Sequence, residues 1–84
     1  MQFLATATIT KPEQLVHYAE LETAVLNQLR AEGTVTSAYR YTAKHGVVGI
    51  FQHDSLASLK AEIERLPFVS EHLMTFAYDE IVEL

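Results

Sequence analysis

Cysteine is absent from this 84-residue chain, which excludes a disulfide framework and a thiolate zinc site and fits a reducing cytoplasm. Basic residues are few: six Lys and Arg stand against eleven Asp and Glu, for a net charge of −5. The six are scattered, so the chain offers no patch for a nucleic-acid backbone. No apolar run approaches the ~20 residues that span a bilayer, so no membrane partner is expected. The start, MQFLATATIT, has neither a basic region nor a long apolar stretch and is not expected to act as a signal peptide. Repeats, linkers and low-complexity segments are missing too. With 49% hydrophobic and 20% charged residues, what is present reads as one globular domain over residues 1–84, with a core of modest size.

Gln2–Thr10 alternates Phe3, Ala5, Ala7 and Ile9 against Leu4, Thr6, Thr8 and Thr10, the period of a strand. Thr10-Lys-Pro-Glu13 reads as a capping box, with Pro in the first turn. Glu13–Gly33 follows as a long helix closed by its glycine. At ~100° per residue, Leu15, Tyr18, Ala19, Val25, Leu26 and Leu29 fall within a ~120° apolar stripe. Glu22 projects from the middle of that stripe, where a carboxylate needs a partner, a raised pKa or a purpose.

Thr34–Ala43 reads as a second strand, with Val35, Ser37, Tyr39 and Tyr41 on one face and Thr36, Ala38, Arg40 and Thr42 on the other. Lys44-His45-Gly46 is a tight connection, and Val47–Gln52 returns as the antiparallel partner. Asp54 or Ser55 caps a second helix, Ser55–Leu66, with a stripe of Leu56, Leu59, Ile63 and Leu66 that Pro67 ends. A short loop leads into the last strand, His72–Val82, whose phase slips near Asp79-Glu80 as if at a bulge.

The order β-α-β-β-α-β is the ferredoxin-like α+β plan: an antiparallel four-stranded sheet with both helices on one face. Apolar residues on both sides of the third and last strands leave a sheet face to cover. In so short a chain a second copy is the expected cover, giving a homodimer or a larger homo-oligomer with a barrel-like interior.

With these elements placed, the chain resembles the muconolactone isomerase-like group of dimeric α/β-barrel proteins, over about Phe3 to Leu84. The resemblance is carried by Glu32-Gly33, Tyr39-Arg40, Gly49-Ile50-Phe51 and Asp54-Ser55, in one apparently ungapped spacing, and by Leu66-Pro67-Phe68 after the second helix. It implies a cofactor-free isomerase that moves a proton within a small unsaturated lactone acid. Glu22 and Arg40 match a first-helix glutamate and an arginine after an aromatic. Val47 and Gln52 stand where Asn and Asp are expected, Leu21 replaces a polar neighbour of the glutamate, and no basic tail follows Val82-Glu83-Leu84. Those departures make the expected pocket more apolar and suit a bulkier, less polar compound.

The chemistry then assigns roles. Glu22 is the expected general base for a proton beside a carbonyl, or else a structural ion pair or hydrogen-bonded glutamate between helix and sheet. Arg40 holds a substrate carboxylate or a developing enolate, or pairs with Glu22. His72 is the best second proton carrier, or an ordinary strand-end histidine. Tyr18, Tyr39, Tyr41, Phe51 and Phe76 are the expected substrate-binding wall, or core aromatics. His17, His45, His53 and His72 lack metal-ligand spacing, so no metal is expected. No Ser-His-acid or glycine-rich phosphate signature occurs. Two other functions stay open: a non-catalytic ligand-binding or scaffold barrel, and a cofactor-free oxygenase of the same architecture.

Overall fold

The computed structural model describes all residues from Met1 to Leu84. Strand β1 (Gln2–Ile9) is followed by a 3₁₀ turn (Pro12–His17), helix α1 (Ala19–Ala31), β2 (Val35–Arg40), β3 (Gly46–Gln52), α2 (Leu56–Ile63), a short α3 (Pro67–Ser70) and β4 (Met74–Ile81). The strands lie in the order β2-β3-β1-β4, and every neighbouring pair is antiparallel. The ferredoxin-like plan read from the pattern is the observed fold.

The alternation of β1 explains the layering. Phe3, Ala5 and Ala7 are buried beneath the helices, while Leu4, Thr6 and Thr8 look to the opposite face. The core joins Phe3 and Ala5 to Val25 and Leu29 of α1, Val35 and Phe51 of the sheet, and Leu59, Ile63 and Leu66. Leu29, Leu59, Ile63 and Leu73 are the largest side chains fully withdrawn from solvent, the positions where truncation to alanine costs about 2–5 kcal/mol.

Five local expectations are corrected. The helix expected over Glu13–Gly33 is broken at Tyr18, and its first turn is 3₁₀. Residues three apart eclipse in a 3₁₀ turn, so Leu15 and Tyr18 reach the protein together, while Val16 is left 76% exposed. The Thr10 capping box does not form; the cap position is Lys11, which makes no side-chain bond. Ser55 does cap α2: its Oγ accepts from Ser58 N–H at 3.1 Å, and its own N–H donates to Ser58 Oγ at 3.2 Å.

The second strand shifts register between Val35 and Ser37. This bulge puts Val35, opposite Phe51, on the helix side together with Ala38 and Arg40, whose partners are Gly49 and Val47. Tyr39 therefore shares no inner face with Val35 and is 62% exposed. By contrast β4 pairs with β1 without interruption from Met74–Ile9 to Ile81–Gln2, so the expected slip at Asp79-Glu80 is absent. Finally, the loop expected after Pro67 is helix α3. Proline starts it well, since the first helical position needs no N–H.

Candidate active site

Between α1 and the helix-side face of the sheet lies an apolar cavity of ≈ 260 Å³. Ala5 and Ile9 of β1, Val47, Gly49 and Phe51 of β3, and Met74 and Phe76 of β4 contribute its floor; Leu26 and the Leu66–Phe68 corner close it above. Gly49 matters here. A Cβ at that position would sit 2.7 Å from Cε2 of Phe51, so the missing side chain is what leaves room for the Phe51 ring.

Glu22 enters from α1 as the only carboxylate of the lining. Its placement follows from helix geometry: Glu22, Leu26 and Arg30 are four apart and form one row along the face of α1. The carboxylate Oε1 accepts the backbone N–H of Phe68 at 2.9 Å. That donor is available because α3 opens on Pro67, which has no N–H, and the amides of Val69 and Ser70 both turn back to the Leu66 carbonyl. Phe68 holds the one first-turn amide without a backbone acceptor, and Glu22 supplies it. The second carboxylate oxygen makes no hydrogen bond within the chain. Burial raises the pKa of Glu22 above its ordinary value of 4.5, and the Phe68 N–H opposes that rise without cancelling it.

The alternative of a Glu22–Arg40 ion pair is not realised; Arg65 makes the salt bridges, to Glu32 at 2.9 Å and Glu62 at 2.6 Å. Arg40 lines the cavity while exposed, an unpaired guanidinium at its mouth. Phe51 and Phe76 are wall residues as expected, Phe76 stacked on Tyr78 with centroids 5.6 Å apart. Tyr39 borders the cavity, but its strand position turns the ring to the other face of the sheet.

Three expected residues are elsewhere. Tyr18 is half-buried at the junction of the 3₁₀ turn and α1, outside the cavity lining. Tyr41 belongs to an adjoining space beside the β2–β3 hairpin. His72 is not on a strand: it has φ 58° and lines a separate groove with Lys60, Glu64 and Tyr78. Its N–H bonds to Val69 O and that of Leu73 to Phe68 O, the two bonds of a Schellman helix end. Helix termination accounts for its position.

Of the departures noted in the sequence, Val47 does line the cavity and makes it more apolar. Gln52 does not; it points to another surface depression, and Leu21 is 58% exposed. Arg30, Phe68 and Met74 are lining residues that sequence reading passed over. Its place eight residues after Glu22, two steps of four along the same row of the helix, could have found Arg30. Phe68 depends on an unforeseen helix and left no such signal.

No His, Asp and Glu side chains gather in a group of three or more that could hold a metal ion, and no helix is long and apolar enough to cross a membrane.

No family model matches the chain, and no curated protein sequence matches it. Solved structures do match. A 5-chloro-2-hydroxyhydroquinone dehydrochlorinase from Burkholderia phenoliruptrix AC1100, in complex with 2,5-dihydroxybenzoquinone, superposes with a TM-score of 0.82 at 15% identity, over 98% of this chain and 94% of that one. A muconolactone isomerase gives 0.80 at 19% identity, over 100% and 91%. An antibiotic biosynthesis monooxygenase gives 0.63 at 15% identity, over 99% and 100%. At these identities the likeness establishes architecture: the chain has the muconolactone isomerase-like, ferredoxin-like α+β fold.

Proposed function

We propose that the protein is a cofactor-independent isomerase or cyclase acting on a small unsaturated lactone or related carbonyl compound, with Glu22 as general base. The observation that carries this reading is Glu22 itself: the one carboxylate, partly desolvated, in a largely apolar cavity of ligand size. Such a group takes a proton from carbon more readily than a solvated carboxylate, because its protonated form is not disfavoured by burial.

In the proposed step the free carboxylate oxygen removes the proton α to the carbonyl. The C–H electron pair moves into the ring as a dienolate, and its negative charge sits on the former carbonyl oxygen. Glu22, now a carboxylic acid, returns the proton at the γ carbon. The double bond has moved, nothing is oxidised or reduced, and the base is regenerated. Arg40 at the mouth supplies positive charge for an anionic part of the substrate or for the dienolate. Phe51 and Phe76 provide the apolar walls. The dehydrochlorinase and isomerase among the structural neighbours give this reading a setting, an enzyme for small cyclic compounds. A second copy of the chain is proposed to cover the outer sheet face, and the cytoplasm is the proposed compartment.

Deuterium incorporation tests the proposal. Incubated in D₂O with a panel of carboxymethyl- and alkyl-substituted butenolides, the protein is expected to exchange ring protons, with Glu22→Gln slower by ~10²–10⁴. Equal exchange by Glu22→Gln removes Glu22 from the mechanism. Ligand retention with no exchange by the wild type indicates the non-catalytic binding barrel, and oxygen consumption indicates the oxygenase.

A further inference from the structure

We infer that Phe51 determines the size of ligand the Glu22 cavity admits, a single unsaturated ring with short substituents, and that Gly49 is the gap that keeps the Phe51 ring out of the ligand's space. This rests on reading the Glu22 cavity as a small-molecule site, and adds the size class of what enters it.

Gly49 stands in the middle of β3, where glycine weakens a strand because it has no side chain to pack and loses the most freedom on folding. Its backbone does not call for glycine: Gly33 is the one glycine with a positive φ. The reason is therefore space. A Cβ at residue 49 would meet Cε2 of Phe51 at 2.7 Å and Cζ at 3.0 Å, so the far end of the ring lies over this position. The other near neighbour, the Ser37 carbonyl at 3.3 Å, would have to give by only a few tenths of an ångström.

The adjoining strands leave the same level low. Ala38 of β2 and Ala5 of β1 are the partners of Gly49 and line the cavity with it. Across three strands nothing longer than a methyl rises from this part of the floor. The side chain that reaches over it comes from the next level, where Val35 and Phe3 are the partners of Phe51. That level is core: Phe3, Val35 and Leu29 are buried in one cluster with Phe51. The ring thus stands at a boundary, backed by packed side chains and bordering the cavity. A close-packed interior has no void to receive it, so the one direction open to a displaced ring is into the cavity.

Ligand size follows from that boundary. The cavity, ≈ 260 Å³, falls just below the ~300–1,000 Å³ of sites that take drug-sized molecules. Phe51 offers the bound ring an aromatic surface and closes the space behind it. Val47 makes the cavity apolar, but depth is a separate property and belongs to Phe51. Shortening residue 51 extends the cavity toward the core. A methyl group at residue 49 does the reverse, because it drives the ring forward.

Titration of the ¹⁵N-labelled full chain with 4-methylfuran-2(5H)-one and 4-phenylfuran-2(5H)-one, one ring against two, tests this. The wild type is expected to bind the methyl compound on the order of tenfold tighter, the scale on which an apolar pocket separates ligands by fit. Phe51→Leu leaves part of the ring's volume empty and is expected to reverse the preference. Gly49→Ala overpacks the floor and is expected to weaken the methyl compound by roughly tenfold. The Gly49→Ala/Phe51→Leu double variant is expected to recover that binding, since leucine has no ring for the new methyl to displace. Leu59→Val, a core change outside the cavity lining, is expected to lower Tm and keep the wild-type ratio. The inference is overturned by a folded Phe51→Leu protein with the wild-type ratio, by a Gly49→Ala protein that binds the methyl compound normally, or by a double variant no better than Gly49→Ala. If Phe51→Leu does not fold, Gly49→Ala decides alone. Glu22→Gln separates the two readings: it is expected to keep the size preference while losing deuterium exchange. A Glu22→Gln protein that exchanges normally sinks the acid–base mechanism and leaves the role of Phe51 standing.

Discussion

The Glu22 carboxylate and the Phe68 backbone N–H meet at 2.9 Å across forty-six positions of sequence, so the candidate base is also the acceptor that α3 requires. The two roles respond differently to substitution. Glu22→Gln keeps an acceptor oxygen for Phe68 but cannot take up a proton. Glu22→Ala leaves a part-buried N–H unpaired, which costs about 1–3 kcal/mol. Thermal unfolding is therefore expected to show Glu22→Ala clearly weakened and Glu22→Gln at least as stable as wild type, while both lose turnover. A Glu22→Ala protein as stable as wild type would show that the Phe68 contact holds nothing together.

The raised pKa of Glu22 gives a pH dependence with a definite sign. Burial disfavours the charged form in the folded state, so the folded chain binds this proton more tightly than the unfolded chain. The associated stability is fully present below the ordinary value of 4.5 and is lost as pH rises through the raised folded value. The Tm of Glu22→Gln minus that of wild type is expected to grow between pH 4 and pH 7, and a flat difference contradicts the desolvation argument. With Glu22 as the proposed base, the acid limb of kcat/KM is expected above the ordinary value of 4.5, because only the deprotonated form accepts a proton.

Much of this site was legible because helices and strands have fixed periods. The stripe of α1 singled out Glu22, and the alternation of β1 separated the buried Phe3, Ala5 and Ala7 from the outer face. What escaped depended on events of one residue. The bulge between Val35 and Ser37 reverses the faces of the residues after it, and no pattern in TVTSAYR marks where the extra residue goes. It turned the Tyr39 side chain to the other face, so that Tyr39 only borders the cavity. Pro67 read as a stop to one helix when it also starts another, so the Phe68 donor was hidden. His72 was given a strand because it precedes alternating residues, whereas backbone bonds to Val69 and Phe68 fix it in a helix end.

The outer sheet face offers a test of assembly. Leu4 of β1 and Val48 and Ile50 of β3 look away from the helices and are part-exposed in the single chain. Covering them is worth about 25 cal/mol per Å² of apolar surface. If a second copy provides the cover, sedimentation velocity is expected to give twice the chain mass for wild type. Ile50→Lys is then expected to give the single-chain mass, with the helix-side core intact by circular dichroism. A wild-type protein that sediments as a single chain at high micromolar concentration rules out the dimer.

His72 supplies the last prediction. A φ of 58° is the left-handed region, which a side chain enters at a cost and glycine enters freely. The position is the residue past the end of α3, with the Leu73 side chain behind it fully buried, so the backbone cannot relax without disturbing the core. His72→Gly removes the steric cost and, against it, adds freedom to the unfolded chain. The net gain is expected to be about 0.5–1 kcal/mol, a rise of a few degrees in Tm. His72→Ile is expected to lose stability, because a β-branched residue tolerates that conformation least. Turnover distinguishes this structural role from the catalytic one suggested by the sequence. His72 lines a different groove from Glu22, so His72→Gly is expected to keep wild-type kcat/KM across the pH range. A large drop in activity without loss of fold would return the imidazole to the proton path.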